Sequence, residues 1–169
     1  MATEEYSKQS EYEERVLEIK RVSKKNKGGN KIGFTALVVV GDKNGKVGSG
    51  LGKASDVPSA IRKGVNVAKR NVVGVNLDGS TIPHEVTHKY ASAQLFMKPA
   101  PEGSGVIAGG VVRHVMELVG VSDVSAKCFG SSNRTANVRC AIEALAKLKP
   151  ALNVSTVGSS SNKGKDETE

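Results

Sequence analysis

Aromatic side chains are scarce in this 169-residue chain: they make up 4% of it, and tryptophan is absent. That leaves few large side chains to fill a core, and few flat rings on which nucleic-acid bases could stack. Cysteine occurs only as Cys128 and Cys140. Two cysteines exclude a disulfide framework and read as ordinary thiols of a reducing compartment. No apolar run approaches the ~18 residues that a membrane-spanning helix needs. The opening MATEEYSKQSEYEERV is acidic and lacks an apolar segment, so it does not read as a signal peptide. Acid is the last thing in short supply, and only locally: residues 20–70 hold just Asp42 and Asp56.

That local shortage organises the charge. The chain has 25 Lys and Arg against 17 Asp and Glu, a net charge of +8. Residues 1–19 carry a net −4, residues 20–70 a net +11, residues 71–149 a net +2 and residues 150–169 a net −1. A chain that is basic throughout can be merely soluble. A block this lopsided is the electrostatic footprint of a polyanion partner.

The basic block reads as one folding unit. Arg15–Val22 and Ile32–Val40 have strand character, the second apolar on both sides near its end. Ser23–Asn30 between them reads as a long hairpin turn, and Asp42-Lys-Asn-Gly45 as a tight one. Lys46–Leu51 returns as a third strand of small residues. Ser55 or Asp56 then caps a helix with Pro58 in its first turn. Its apolar stripe is Val57, Ile61, Val65, Ala68 and Val72, and Arg62, Lys63, Asn66, Lys69 and Arg70 lie on the other side.

Gly74–Pro83 reads as a connector. Beyond it Glu85–Tyr90 and Ala93–Lys98 alternate as strands, and Pro99–Gly105 is a loop. Ile107, Ala108, Val111, Val115, Leu118 and Val119 form a helical stripe closed by Gly120. Val124, Ala126 and Cys128 share one face of a strand. Val138, Ala141, Ile142, Leu145 and Leu148 form a last helical stripe, stopped by Pro150. The class is therefore α+β, in two small domains: an acidic mobile tail over 1–13, a basic domain over 14–75, a connector over 76–84, an α/β domain over 85–150 and a disordered tail over 151–169. Lobes of this size bury only about 60% of their unfolded surface, so two separate cores call for a large stabilising partner.

Two motifs invite an enzymatic reading and fail on context. His84-Glu85-Val86-Thr87-His88 matches the zinc-protease pattern, whose two imidazoles must stand one turn apart on a helix. Here Pro83 precedes it and Val86 and Thr87 are β-branched, so it reads as a strand with two surface histidines. On a strand the imidazoles lie about 13 Å apart, too far for one metal. Gly105-Val-Ile-Ala-Gly-Gly110 has the first half of a phosphate-binding loop. Val111 and Val112 stand where Lys and Ser or Thr are required. Gly48, Gly50 and Gly52 lack dinucleotide spacing and signal close backbone packing or approach to an external backbone. No catalytic residue, metal site or cofactor is expected.

The positive signal is the hairpin. Lys20, Arg21, Lys24, Lys25, Lys27 and Lys31 cluster around Gly28 and Gly29, on a rigid base that adds Lys43, Lys46, Lys53 and the basic helix face. Phe34, Phe96 and Phe129 look core-facing, which leaves no aromatic platform. The combination suits recognition of structured RNA through phosphates and shape.

Arg21-Val-Ser-Lys-x-x-Lys-Gly-Gly29, the segment from Phe34 to Gly48, Gly50-x-Gly-Lys53, Val57-Pro-x-Ala-Ile61, Ala68-Lys-Arg70, the segment from Pro99 to Gly110 and Gly130-Ser-x-Asn133 follow one another as in a known family. Over roughly residues 13–150 the chain resembles the bacterial small-subunit ribosomal protein five family. The resemblance implies an N-terminal domain like a double-stranded-RNA-binding domain. It also implies a C-terminal βαβ-type sandwich shared in fold with the GHMP kinases and with domain four of elongation factor G, without their catalysis. It implies a cytoplasmic protein of the small ribosomal subunit that binds 16S ribosomal RNA at the head–body junction, with Ser23, Lys24, Gly28 and Gly29 on the loop beside the spectinomycin site. Lys46 and Lys53 would face the channel by which messenger RNA enters. The C-terminal lobe would meet the fourth and eighth small-subunit proteins and influence decoding accuracy, and Lys127, Asn133 and Arg134 are candidate contacts of that lobe with RNA or protein. Two departures stand out. Asn30-Lys31 follows the Gly-Gly pair where the family often has Arg, and Arg134 follows Asn133 where it usually has Pro.

Overall fold

The computed structural model describes residues 12–150. Four strands, β1 (Glu13–Asn26), β2 (Gly29–Gly41), β3 (Lys46–Ala54) and β4 (Val72–Gly74), form an antiparallel sheet in chain order. Helix α1 (Val57–Arg70) covers one of its faces. A second sheet has the order β5 (Val86–Tyr90), β6 (Ala93–Pro99), β8 (Val124–Phe129), β7 (Val106–Ile107). Helices α2 (Gly110–Val119) and α3 (Arg134–Ala146) accompany it. Strands β7 and β8 pair in parallel on either side of α2, which is the βαβ unit of the second lobe.

Close approach decides the packing of the first lobe. Strand β3 turns Gly48, Gly50 and Gly52 toward α1, and a Cβ at any of them would collide with α1 backbone at Ala68, Gly64 or Ala60. The helix answers with its own small residues, Ala60, Gly64 and Ala68, all buried. The buried line is therefore Ala60–Gly64–Ala68 with Val65, while Val57 and Ile61 are only half-buried. Of the two alternatives open for these glycines, packing against the protein's own helix is the one realised. Asp56 caps α1, its carboxylate accepting the Ser59 amide at 3.0 Å and the Ser55 hydroxyl at 3.1 Å. The hydrogen bonds from Ser59 hold that carboxyl below its usual range.

The lobes share the larger of two core clusters. Sheet residues alternate faces: Ala36, Val38 and Val40 meet α1, whereas Leu37, Val39 and Val47 join a cluster with Leu95, Met97, Val115, Met116, Leu118 and Leu145. The layers run α1, first sheet, α2 with α3, second sheet. Backbone bonds stitch the junction, from the Lys43 amide to the Leu118 carbonyl (3.0 Å) and from the Gly45 amide to the Val119 carbonyl (2.9 Å). Arg15 of β1 donates to Glu117 of α2. Burial works to raise the Glu117 carboxyl, but His114 and Arg15 outweigh it and hold it low. The expectation of two marginal, separate cores is thus corrected: the larger cluster draws on both lobes, and a smaller one lies between α1 and the first sheet.

Several boundaries differ from the sequence reading. Glu13 and Glu14 belong to β1, held by ladder partners Gly41 and Val40 and by ion pairs to Lys43 and Lys69; the tail positions before Tyr12 and those after Pro150 lie outside the described residues. Val72 is in β4, because α1 stops at Arg70 and Asn71 caps it. Ile107 is in β7 and 59% exposed. The connector is anchored: Ile82 is buried, and the Asn76 side chain donates to the Leu148 carbonyl at 2.9 Å.

Candidate nucleic-acid interface

The long hairpin is not built as the sequence suggests. Ser23–Asn30 is not an open turn. Pairing continues through Lys24–Lys31, Lys25–Asn30 and Asn26–Gly29, and only Lys27 and Gly28 make the turn. Gly29, at φ +125°, takes a backbone conformation that a side chain would disfavour. From Lys20 to Asn26 the ribbon spans about 20 Å at ~3.3 Å per residue, and its outer part is exposed on both faces.

Alternation sorts the cations. Direct ladder partners point to the same face, so Lys20 with Thr35, Lys24 with Lys31 and Thr35 with Lys53 place Lys20, Lys24, Lys31 and Lys53 on the face away from α1. Arg21, Ser23 and Lys25 point the other way, toward the α1 side. Lys24, Lys31 and Lys53 line a cleft of about 420 Å³ floored by Val22 and Gly33. Lys46 begins β3 and Lys53 stands next to its last residue, about 23 Å apart by strand rise, so these two do not form one site. Arg62, Lys63 and Arg70 lie exposed on the outer side of α1.

Several candidate cations are already occupied. Lys20 pairs with Glu18 at 3.1 Å, Lys69 with Glu14 at 2.8 Å, and Arg134 approaches Glu18 at 3.7 Å while donating to the Leu17 carbonyl. Arg21, Lys24, Lys25, Lys27, Lys31, Lys46, Lys53, Arg62, Lys63 and Arg70 make no ion pair among the described residues. In the second lobe Asn133 caps α3 by accepting the Thr135 amide at 3.1 Å, and Lys127 is exposed on β8.

The zinc-protease pattern falls apart in space. His84 and Glu85 precede β5 and His88 lies on it. His88 is not a surface residue: its side chain is 12% exposed, 3.0 Å from Glu143 and 3.2 Å from Lys147 of the neighbouring α3 segment. It turns inward because its strand phase matches Val86 and Tyr90.

The glycine-rich loop before α2 is tied down by Asp123. This buried carboxylate accepts the Gly105 amide at 2.9 Å. That bond is the largest influence on the carboxyl. Burial opposes it, and the Ser80 hydroxyl and the Gly103 and Ser104 amides reinforce it, leaving the group below its usual range.

The aromatic residues correct a further expectation. Phe34 does pack against the smaller core cluster. Phe96 lies between buried Leu95 and Met97 and so points to the opposite face. Phe129 is 49% exposed, because Val124, Ala126 and Cys128 take the inward positions of β8. The second sheet thus turns two rings outward, Phe129 exposed and Phe96 half-buried, where the sequence reading expected none. Its alternation contained the signal, since a strand facing inward at 124, 126 and 128 must face outward at 129.

Two family models match the chain in succession: ribosomal protein S5, N-terminal domain, over residues 12–76, and ribosomal protein S5, C-terminal domain, over residues 88–157. Together they span most of the sequence, in the order in which the two sheets occur, and the chain accordingly belongs to the ribosomal protein S5 family, structural proteins of the small ribosomal subunit in translation.

Proposed function

We propose that the chain binds 16S ribosomal RNA through the β1–β2 ribbon, at the head–body junction of the small subunit. The carrying observation is a two-stranded ribbon, paired to its tip, that extends from the first sheet and presents Lys24, Lys31 and Lys53 on one face without ion-pair partners among the described residues. Cations on a fixed frame neutralise phosphates at low conformational cost, and glycines at the tip let the backbone approach the RNA. Ser23, Lys25, Lys27, Gly28 and Gly29 at or near the tip complete the contact, with Arg21 on the second face. Arg62, Lys63 and Arg70 of α1 form a separate basic surface for a neighbouring RNA segment. Lys46 and Lys53 would face the messenger-RNA channel from different ends of β3. Contacts of the second lobe with the fourth and eighth small-subunit proteins, and through them an influence on decoding accuracy, follow from the family resemblance; Lys127, Asn133 and Arg134 are candidate contacts of this lobe with RNA or protein.

Sedimentation of a cell lysate on a gradient should find the chain with small subunits; its absence from them would end this reading. At the residue level, replacing Lys24, Lys31 and Lys53 together by Ala should lower the salt slope of binding to a ribosomal RNA fragment by about 2–3, near 0.9 per phosphate neutralised. An unchanged slope would show that the ribbon does not clamp phosphates.

A further inference from the structure

Among the described residues, the outer face of the second sheet is largely exposed. In strands β5, β6 and β8 it consists of Thr87 and Lys89, Gln94, Phe96 and Lys98, and Ser125, Lys127 and Phe129, with Ile107 at the β7 edge. No acidic residue occurs in these strands, and Lys89, Lys98 and Lys127 make no ion pair among the described residues. We propose that this face binds unpaired RNA, with bases stacked on Phe96 and Phe129 and phosphates held by Lys89, Lys98 and Lys127.

Register supplies the geometry. Phe96 sits opposite Lys127, and Phe129 opposite Gln94, so the two rings are diagonal neighbours on the adjacent strands β6 and β8. Diagonal neighbours lie about 7–8 Å apart, a spacing that two successive splayed bases can follow. Lys89 continues the Gln94–Phe129 row and Lys127 continues the Phe96 row, so each ring has a cation in its own row. Gln94 and Thr87 add polar atoms for base edges. A protein partner would favour a different surface, since lysine is depleted from the cores of protein interfaces, whereas alternating rings and cations on a sheet are the arrangement that single strands use. The proposal is independent of the ribbon, which lies on the other sheet and reads paired RNA by its backbone.

The absence of tryptophan makes the test clean. Phe129→Trp in the full chain installs a lone indole on the proposed platform. A 12-nucleotide single-stranded oligoadenylate should quench it saturably, and a 12-base-pair duplex RNA should not. Phe96→Leu in that background should weaken the single-strand response about 10-fold, the scale of one stacked base. Phe129→Leu, read by competition in the otherwise unaltered chain, should lose affinity by a similar factor. Quenching must persist when Lys24, Lys31 and Lys53 are changed to Ala, which separates this proposal from the ribbon reading. No response to the oligonucleotide, an equal response to duplex, or loss of response with the ribbon variant would overturn it. An indole that responds only on incorporation into small subunits, and never to the oligonucleotide, would assign the face to a protein neighbour and overturn it as well.

Discussion

Replacing Gly50 by alanine should cost far more than its one methyl group suggests. An added Cβ there has nowhere to go, since it meets backbone of α1 at Gly64 and Ala68. Flexible side-chain ends can swing aside, but helix backbone must translate as a body. Lifting α1 loosens Ala60, Val65 and Ala68 from Ala36, Val38 and Val40, the six buried residues of the smaller cluster. Overpacking in a well-filled core costs about 1–3 kcal/mol. Here the obstruction is main chain on both sides, which puts the expected loss at the upper end, about 3 kcal/mol. For a domain of this size that is roughly a 10 °C fall in the melting temperature. Gly74→Ala is the matched control, because its Cβ meets nothing within 4 Å. It should be neutral or stabilise by roughly 0.4–1 kcal/mol through the unfolded chain. Thermal and urea unfolding of both variants decides the matter. Equal melting temperatures for Gly50→Ala and Gly74→Ala would refute the claim that the glycine track sets the helix–sheet distance.

Two further outcomes are expected. Asp123 has a folded-state pKa below its unfolded value, so its stabilising effect is complete above the unfolded value near ~3.9 and disappears as pH falls through the folded one. Asp123→Asn should therefore destabilise the protein at neutral pH, converge with the unaltered chain in acid, and speed amide exchange at Gly103–Gly105; parallel stability curves across that range would contradict it. Arg15→Ala should cost only about 0.5–1 kcal/mol despite joining the lobes, because Arg15 and Glu117 are each 37% exposed and solvent screens the pair. A loss of several kcal/mol in urea titrations would mean that the ion pair, not the shared core, holds the lobes.

The outline of the fold was legible because local signals agreed with it. Asp56 with Pro58 marks the start of α1, Gly120 in a left-handed conformation closes α2, and the apolar stripe from Val138 to Leu148 is buried along its length. What escaped has physical causes. Ser23–Asn30 looked like a loop because apolar patterning reports burial, and a ribbon solvated on both faces has no burial to report; its ladder is held by backbone bonds alone. Strand β7 is two residues long and exists only because β8 lies beside it in parallel. The common core depends on Leu37, Val39 and Val47 finding α2 and α3 across long stretches of chain, and periodicity cannot identify a distant partner. At the candidate site, the cations were identifiable from composition, but their division between two faces depended on the β1–β2 and β2–β3 registers. The occupied state of Lys69 and Arg134 depended on contacts with Glu14 and Glu18 across the fold that no spacing rule indicates, whereas Glu18 and Lys20 share a face by strand spacing.

The continuity of the core through both lobes has a consequence for assembly. Lobes joined by a flexible linker would have to lose orientational freedom each time both engaged the same target. Here that loss occurs once, on folding. A target segment captured by one lobe therefore meets the other at a high effective concentration, set by a fixed distance and angle rather than by a fluctuating tether. The protein acts as a set square. With both proposed surfaces engaged, it would favour those conformations of its partner that present two sites at the matching geometry, and penalise the rest in proportion to the strain needed to reach it.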